Sequence, residues 1–538
     1  MWSSTGVARP HLHTAVHSAR GRAWRLAAAA AVALLAAACN GGGEDVDLGD
    51  AAQEDPGGDA DGGEPTEGGT LVAGIGGDPD QLDPHATTSS FSFTVLENVY
   101  DTLVQPNAEL EMEPALATEW ETSDDLLTWT FQLREGVTFH DGSDFTAEDV
   151  VASLTRIQEE GQNSFRLDPV TSIEATGDLE VTLELERPAP NLLAQLGAFK
   201  GMAIVSADDI EAGTLSEEPN GTGPFAFESR ADGDSLTLSA NGDYWGEQGP
   251  FLDGLEFRII PDEGVKLTNL ETGEVDWIDS VPPQDVEGLG GDDLTVQSVP
   301  ANDYWYVSFN NDREPFDDPL VRQAIAYAVD IDELTEAVKF DAATPNETAI
   351  PESSVWYHDY APFGTDLDQA QTLLDEAGVD GFSMDLMVTD EFPETIAAAE
   401  VLANQLDPLG IDVQIRTEEF NTWLADQGEG DFDAFALGWL GNIDPDDFYY
   451  AQHHSDGVNN FQGFADDEVD QLLDAAREEP DEDERKSLYD QAAERIVDQV
   501  SYLYLYNPDL VQAWSPTVTG YEARADQATR FVTTQLGS

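Results

Sequence analysis

From Thr70 onward the chain alternates between two hydrophobic periods. Leu127, Trp129, Phe131 and Leu133 alternate with Thr128, Thr130 and Gln132, the period of a half-buried strand, and Ser123-Asp124-Asp125 ahead of them predicts a hairpin turn. Thr146-Ala147-Glu148-Asp149 has the form of a capping box, opening a helix whose buried face is Val150, Val151, Leu154 and Ile157. Asp318-Pro319 reads as N-cap and first helical position before Val321, Ile325 and Val329. Leu367, Ala370, Leu373, Leu374 and Ala377 form a helical stripe that Gly378 should stop. Pro393 starts another helix, with Ile396, Ala399, Leu402 and Leu406 inside, and it feeds the strand Ile411, Val413, Ile415. Helix-then-strand succession predicts an open α/β lobe between residues 306 and 504. No internal repeat accompanies it.

The first 69 residues follow neither period. Arg9, Arg20, Arg22 and Arg25 precede any acidic residue, and Leu26 to Ala38 is an unbroken run of Ala, Leu and Val. A basic start, a short apolar stretch and small residues make a secretory signal peptide over 1–38, too short to span a bilayer comfortably. No twin arginine is present, which favours the general secretory route. The run ends at Leu35-Ala36-Ala37-Ala38-Cys39, which resembles a bacterial lipobox with the bulky residue one place early. Cys39 is thus the expected lipidation site; an ordinary signal peptide with an incidental cysteine is the competing reading. Residues 40–69 hold ten glycines, ten acidic residues and no aromatic, so 39–69 should be a self-repelling tether.

Composition narrows the classes. At 538 residues the chain is too long for one core and long enough for two or three lobes. Against 22 basic residues stand 109 acidic ones, a formal charge of -87, which repels nucleic acid and anionic lipid. Only four of the basic residues are Lys; concentrated salt and a generally acidic proteome account equally for such a surface. The lone cysteine excludes an intramolecular disulfide and a Cys-based zinc cluster.

Catalytic signatures are missing: no HExxH, GxSxG or P-loop occurs. Gly74-Ile75-Gly76-Gly77 lacks the last glycine of a dinucleotide loop and runs into Asp78-Pro79. Gly221-Thr222-Gly223-Pro224-Phe225 has no Lys for a phosphate and reads as a fixed turn. The adjacent His453-His454 pair, near Asp446 and Asp447, reads as a solvated pair, since neighbouring helical side chains diverge. No metal site and no cofactor is expected. With so many carboxylates, no particular pair points to glycoside hydrolysis. Aromatic residues are more suggestive. Tyr304, Trp305 and Tyr306, with Trp423 and Trp439, fall near expected strand ends or loops, where ligand clefts of α/β lobes open; core packing is the competing assignment for each.

Taken in order, these segments resemble the extracellular solute-binding proteins of the peptide/nickel class (family 5) that serve ABC importers. Thr128 to Ile157, TWTFQLREGVTFHDGSDFTAEDVVASLTRI, is similar to the family's strand, turn and capped helix. Leu82-Asp83-Pro84, GTGPF at 221–225, NGDYW at 241–245, Gly273 to Asp276, RQAIAYAVD at 322–330, Ala370 to Gly378, GDFDAFALGW at 430–439 and Arg485 to Val497 then follow in the family's order. The resemblance implies an α/β, two-lobe periplasmic-binding-protein-like fold with a hinged cleft. Lobe I would be 70–105, 220–305 and 505–538, an extra subdomain 106–219, and lobe II 306–504, with crossings near 304–310 and 502–508. It implies no enzymatic activity. A solute binds one lobe, the hinge closes, and the closed form meets an ABC permease whose ATPase subunits are other chains. A monomer on the outer face of the cytoplasmic membrane, held through lipid alone, is the expected form.

In the family's peptide receptors an aspartate after the GW motif pairs with the ligand's α-ammonium, as enclosing a cation requires. Here Gly438-Trp439 is followed by Leu440-Gly441-Asn442-Ile443-Asp444, so Asn442 takes that place by position, with Asp444 as a substitute if the loop shifts. The expected ligand contacts are therefore Trp439, Asn442, Asp444, Trp423, Tyr304 and Trp305. An oligopeptide is the first expectation; an oligosaccharide, opine or metal chelate shares the remaining features. A secreted hydrolase and a surface sensing or adhesion protein are the readings outside transport.

Overall fold

In the computed structural model the alternation at 127–133 becomes the strand Thr128–Leu133, its burial alternating residue by residue. Trp129, Phe131 and Leu133 enter the core, each side chain contributing roughly 1.5–3 kcal/mol by its removal from water. The capped helix runs Ala147–Glu160, and Asp149 Oδ2 accepts from Thr146 N at 2.8 Å. Val150, Leu154 and Ile157 are buried on its inner face. Asp318 caps Pro319–Ala328 by accepting from Leu320 N at 2.9 Å. Gly378 ends Leu367–Ala377 at φ 72, where a Cβ would be strained. The turn at 221–225 is fixed by contact: a Cβ on Gly221 would sit 2.0 Å from the Val99 carbonyl oxygen.

The described residues are 66–199, 201–291, 293–439 and 443–537, all within the unit Glu64–Ser538. The expected signal peptide, Cys39 and most of the expected tether lie outside them, as does Asn442. No helix among the described residues is long and apolar enough to cross a membrane.

A mixed sheet of twelve strands forms the backbone of the molecule. One half runs Ile411–Glu418, Phe382–Thr389, Ala434–Trp439, Tyr304–Phe309, then the long strand Tyr502–Trp514. From there the order continues Trp277–Ile278, Thr70–Ile75, Gly254–Ile259, Ser235–Ala240 and Phe225–Ala231. The long strand serves both halves. Its first part pairs antiparallel with Tyr304–Phe309, its second with Thr295–Pro300 and Trp277–Ile278. The chain crosses between halves at 301–303 and again at 507–508. Asn507 knits the two passages together: its Nδ2 donates to the carbonyls of Asp303 (2.6 Å) and Ala349 (2.9 Å), and its Oδ1 accepts from Asn346 Nδ2 (2.6 Å).

Each half has its own core. One is built from 304–506, another from Leu71 to Trp277 with Trp514 to Phe531. A third lies under a separate four-stranded sheet, ordered Ala117–Thr122, Thr128–Leu133, Glu180–Leu185, Val170–Gly177, against which the helix Ala147–Glu160 packs. The sequence places Tyr304 and Trp305 in the first lobe. Their strand pairs along its whole length with Ala434–Trp439 and belongs to the second half.

Candidate functional site

The junction of the two halves lies where Ala434–Trp439 and Tyr502–Trp514 flank Tyr304–Phe309. Tyr304 faces Trp439 in the register and Trp305 faces Gly438. The Trp305 indole lies against the Gly438 backbone, since a Cβ there would approach within 2.7 Å of its ring. The same ring meets Phe392 edge-on at 5.8 Å and stacks on Tyr506 at 6.3 Å, which leaves it 6% exposed. The glycine of the GW pair thus makes room for Trp305, while Trp439, the last described residue of its strand, stays only half-buried.

The other expected contacts are placed differently. Tyr304 is fully buried between Tyr306, Phe448 and Tyr504, and its hydroxyl donates to the Phe448 carbonyl at 3.4 Å. Trp423 is fully buried, stacked on Phe420 and edge-on to Phe435. Both are core residues, because their positions beside strand ends coincide with the inward face. Trp305 joins them apart from its edge. Asp444 is engaged elsewhere: it caps the helix Pro445–His453 through Asp446 N (3.0 Å), and Arg485 grips both its oxygens at 2.5 and 2.8 Å. Three of its roughly four acceptor sites are taken and its charge is already paired with Arg485, so it is a poor counter-charge for a ligand ammonium. Asn442 lies outside the described residues.

The residues after the GW pair instead form a row of acids, each met by a separate arginine. Asp446 is buried, which pushes its carboxyl upward in pKa, and takes Arg477 Nε at 3.2 Å and the Tyr489 hydroxyl at 3.2 Å. Asp447 reaches across to the four-stranded unit. Arg166 Nη1 lies 3.3 Å and Gln195 Nε2 3.1 Å from its Oδ1, while Arg166 also donates to Gln195 Oε1 at 2.6 Å. Arg166 and Gln195 are buried in this arrangement, so the bridge is little screened by salt. Sequence reading missed it because the partners lie 281 and 252 residues apart. Asp447→Asn should loosen the bridge and let the four-stranded unit, with the half it is tied to, move away from the second half, read as a larger radius of gyration in small-angle X-ray scattering. An unchanged radius would show that the bridge does not restrain the halves.

The histidine pair is not solvated. His453 is fully buried, its Nδ1 2.9 Å from Ser501 Oγ and its Nε2 2.9 Å from the Tyr504 hydroxyl. His454 stacks on Tyr450 at 4.6 Å. Both rings find cover because the helix is sandwiched, one side against the core and the other against Asp467–Glu478. No group of three His, Cys, Asp or Glu among the described residues is placed to hold a metal ion. The Leu82-Asp83-Pro84 motif also gains a physical role: Arg156 of the capped helix clamps Asp83 at 2.5 and 2.9 Å, tying the four-stranded unit to the first half.

A family model described as bacterial extracellular solute-binding proteins, family 5, middle, matches residues 111–460. The dipeptide-binding protein of Escherichia coli K12 is 29% identical over 493 residues, covering 84% of this chain and 92% of its own. Among solved structures, an ABC transporter-associated periplasmic binding protein of Helicobacter pylori, in complex with the peptide STSA, superposes with a TM-score of 0.80 at 30% identity, over 88% of this chain and 99% of its own. A periplasmic binding protein from A. tumefaciens R10, in complex with agropinic acid, gives 0.79 at 28% identity, over 87% and 99%.

Proposed function

The chain belongs to family 5 of the bacterial extracellular solute-binding proteins, and from that premise we propose that it is a lipid-anchored receptor delivering oligopeptides to an ABC permease. The two-lobe fold and the solute-receptor role come with the family. The observation that carries the site is Trp439: of the expected aromatic contacts it is half-buried where Tyr304, Trp305 and Trp423 are buried, and it ends its strand opposite Tyr304, next to the crossing between the halves. A rigid indole there offers a stacking surface for a peptide side chain or backbone. Trp439→Ala should weaken ligand binding by roughly 1–4 kcal/mol, the range for a buried anchor. Affinity unchanged in a folded variant would place the solute elsewhere.

One observation favours a second reading. Asp444 is committed to Arg485, so the described part of the GW loop offers no free carboxylate to a peptide's ammonium. A non-peptide solute needs no such partner. Native mass spectrometry of the purified, never-unfolded protein separates the two: a mixed set of short peptides supports the first reading, one defined non-peptide mass the second.

Lipidation at Cys39 would hold the receptor close to its permease and raise the effective concentration of each for the other. Cys39→Ala should release the protein from the membrane fraction or leave the leader uncleaved. A processed variant still sedimenting with membrane would refute the anchor.

A further inference from the structure

A recess of about 310 Å³ opens in the first half of the molecule, between residues 97–107, Tyr244 and the C-terminal segment 520–533. No residue of 304–506 lines it, so it is separate from the junction of the halves. Its volume is at the low end of the roughly 300–1,000 Å³ typical of small-molecule sites.

The charges on its walls are unequal in their commitments. Arg524 is held by Asp526 and by the carbonyls of Pro106 and Asn107. Asp101 accepts from Thr222 Oγ1 and Trp245 Nε1, both at 2.8 Å. Arg530 is different. In a chain carrying 109 carboxylates, it has none within ion-pair distance among the described residues, although its charge acts on Glu97 and Asp101, which line the same recess. Its only hydrogen bonds there run from Nη1 to the neutral Gln105 Oε1 and Pro106 carbonyl, both at 3.4 Å. Arg134, Arg187 and Arg322 likewise make no ion pair among the described residues; three backbone carbonyls satisfy Arg322, whereas Arg530 has one, at the long distance of 3.4 Å. Glu97 spends one oxygen, Oε2, on Thr529 N at 3.0 Å, and burial pushes its pKa up to about 7. Phe199, Pro224 and Val532 supply the apolar part of the wall.

An open guanidinium fork beside a half-committed carboxylate suits a ligand carrying both charges. A simple anion would meet Glu97, Glu113 and Glu522, and a simple cation would meet Arg524 and Arg530. We propose that this recess binds a single free α-amino acid, its carboxylate on the Arg530 guanidinium and its ammonium against Glu97. Such a site is independent of what the lobes enclose, and a receptor exposed to peptides would meet free amino acids in the same medium.

The test is calorimetric titration of the full chain with L-valine, L-valinamide and N-acetyl-L-valine. Valine should bind, and either derivative, lacking one charge, should bind at least about tenfold more weakly, the loss of one charge-assisted pair. Arg530→Gln should abolish valine binding, while Trp439→Ala should leave it unchanged. Glu97→Gln keeps the contact to Thr529 N and should erase the preference for valine over N-acetyl-L-valine, which serves if Arg530→Gln melts early. No binding of valine up to about 10 mM, weaker than any useful site, would overturn the proposal. So would valine binding that Trp439→Ala removes and Arg530→Gln spares, since the amino acid would then be in the cleft.

Discussion

Asp444→Ala is expected to lower the unfolding free energy by about 3–5 kcal/mol, the cost of stranding one member of a buried ion pair. Arg485 is 4% exposed and would keep its Ala476 carbonyl contact and the rings of Trp356 and Tyr489, with only the more distant charge of Asp446 still acting on it. The lost N-cap bond to Asp446 N adds about 1 kcal/mol. Asp444→Asn should fall between, because Asn caps as well as Asp but carries no charge. Urea denaturation reads both variants, and an unchanged slope would assign the change in midpoint to stability. A loss below about 1 kcal/mol would mean that the pair behaves as a solvated one.

Acidification gives the second large effect, through His453. Burial pushes this imidazole down from 6.5 to about 3. Between those values the unfolded chain binds a proton that the folded chain refuses. The stability at stake is therefore complete above pH 6.5 and is lost as pH falls, at up to about 1.4 kcal/mol per pH unit. From pH 6.5 to 4 this amounts to roughly 3 kcal/mol, beside whatever the carboxylates contribute. His453→Gln should be less stable at neutral pH but flatter in its dependence. Denaturation midpoints across pH 4–7 would show it, and parallel slopes for the two proteins would sink the assignment.

Local signals carried most of the secondary structure. The alternation at 127–133, the Thr146 and Asp149 box and the Gly378 stop each involve residues close enough to constrain one another, and all appear where expected. The site was less legible. Asp444 looked available because its partner, Arg485, lies 41 residues away on a helix with its own plausible surface charge. Tyr304 and Trp423 looked like cleft residues because strand ends border the core as well as the opening. His453 closes its helix and His454 caps it in extended backbone, yet both rings are covered, which only the packing reveals. Trp305 and Gly438 show the converse: the glycine's meaning is steric, and it appears only once its opposite residue is known.

The long strand Tyr502–Trp514 passes through both halves without interruption, and Asn507 fastens it to the neighbouring crossing at the point of passage. Rotation of one half against the other must then be taken up as torsion distributed along a pleated ribbon. Such a joint should act as a spring with a restoring torque and not as a free pivot, each angle of opening storing elastic energy. A solute's grip must do work against that torque, and replacing Asn507 would change the stiffness of the joint before it changed any contact with cargo.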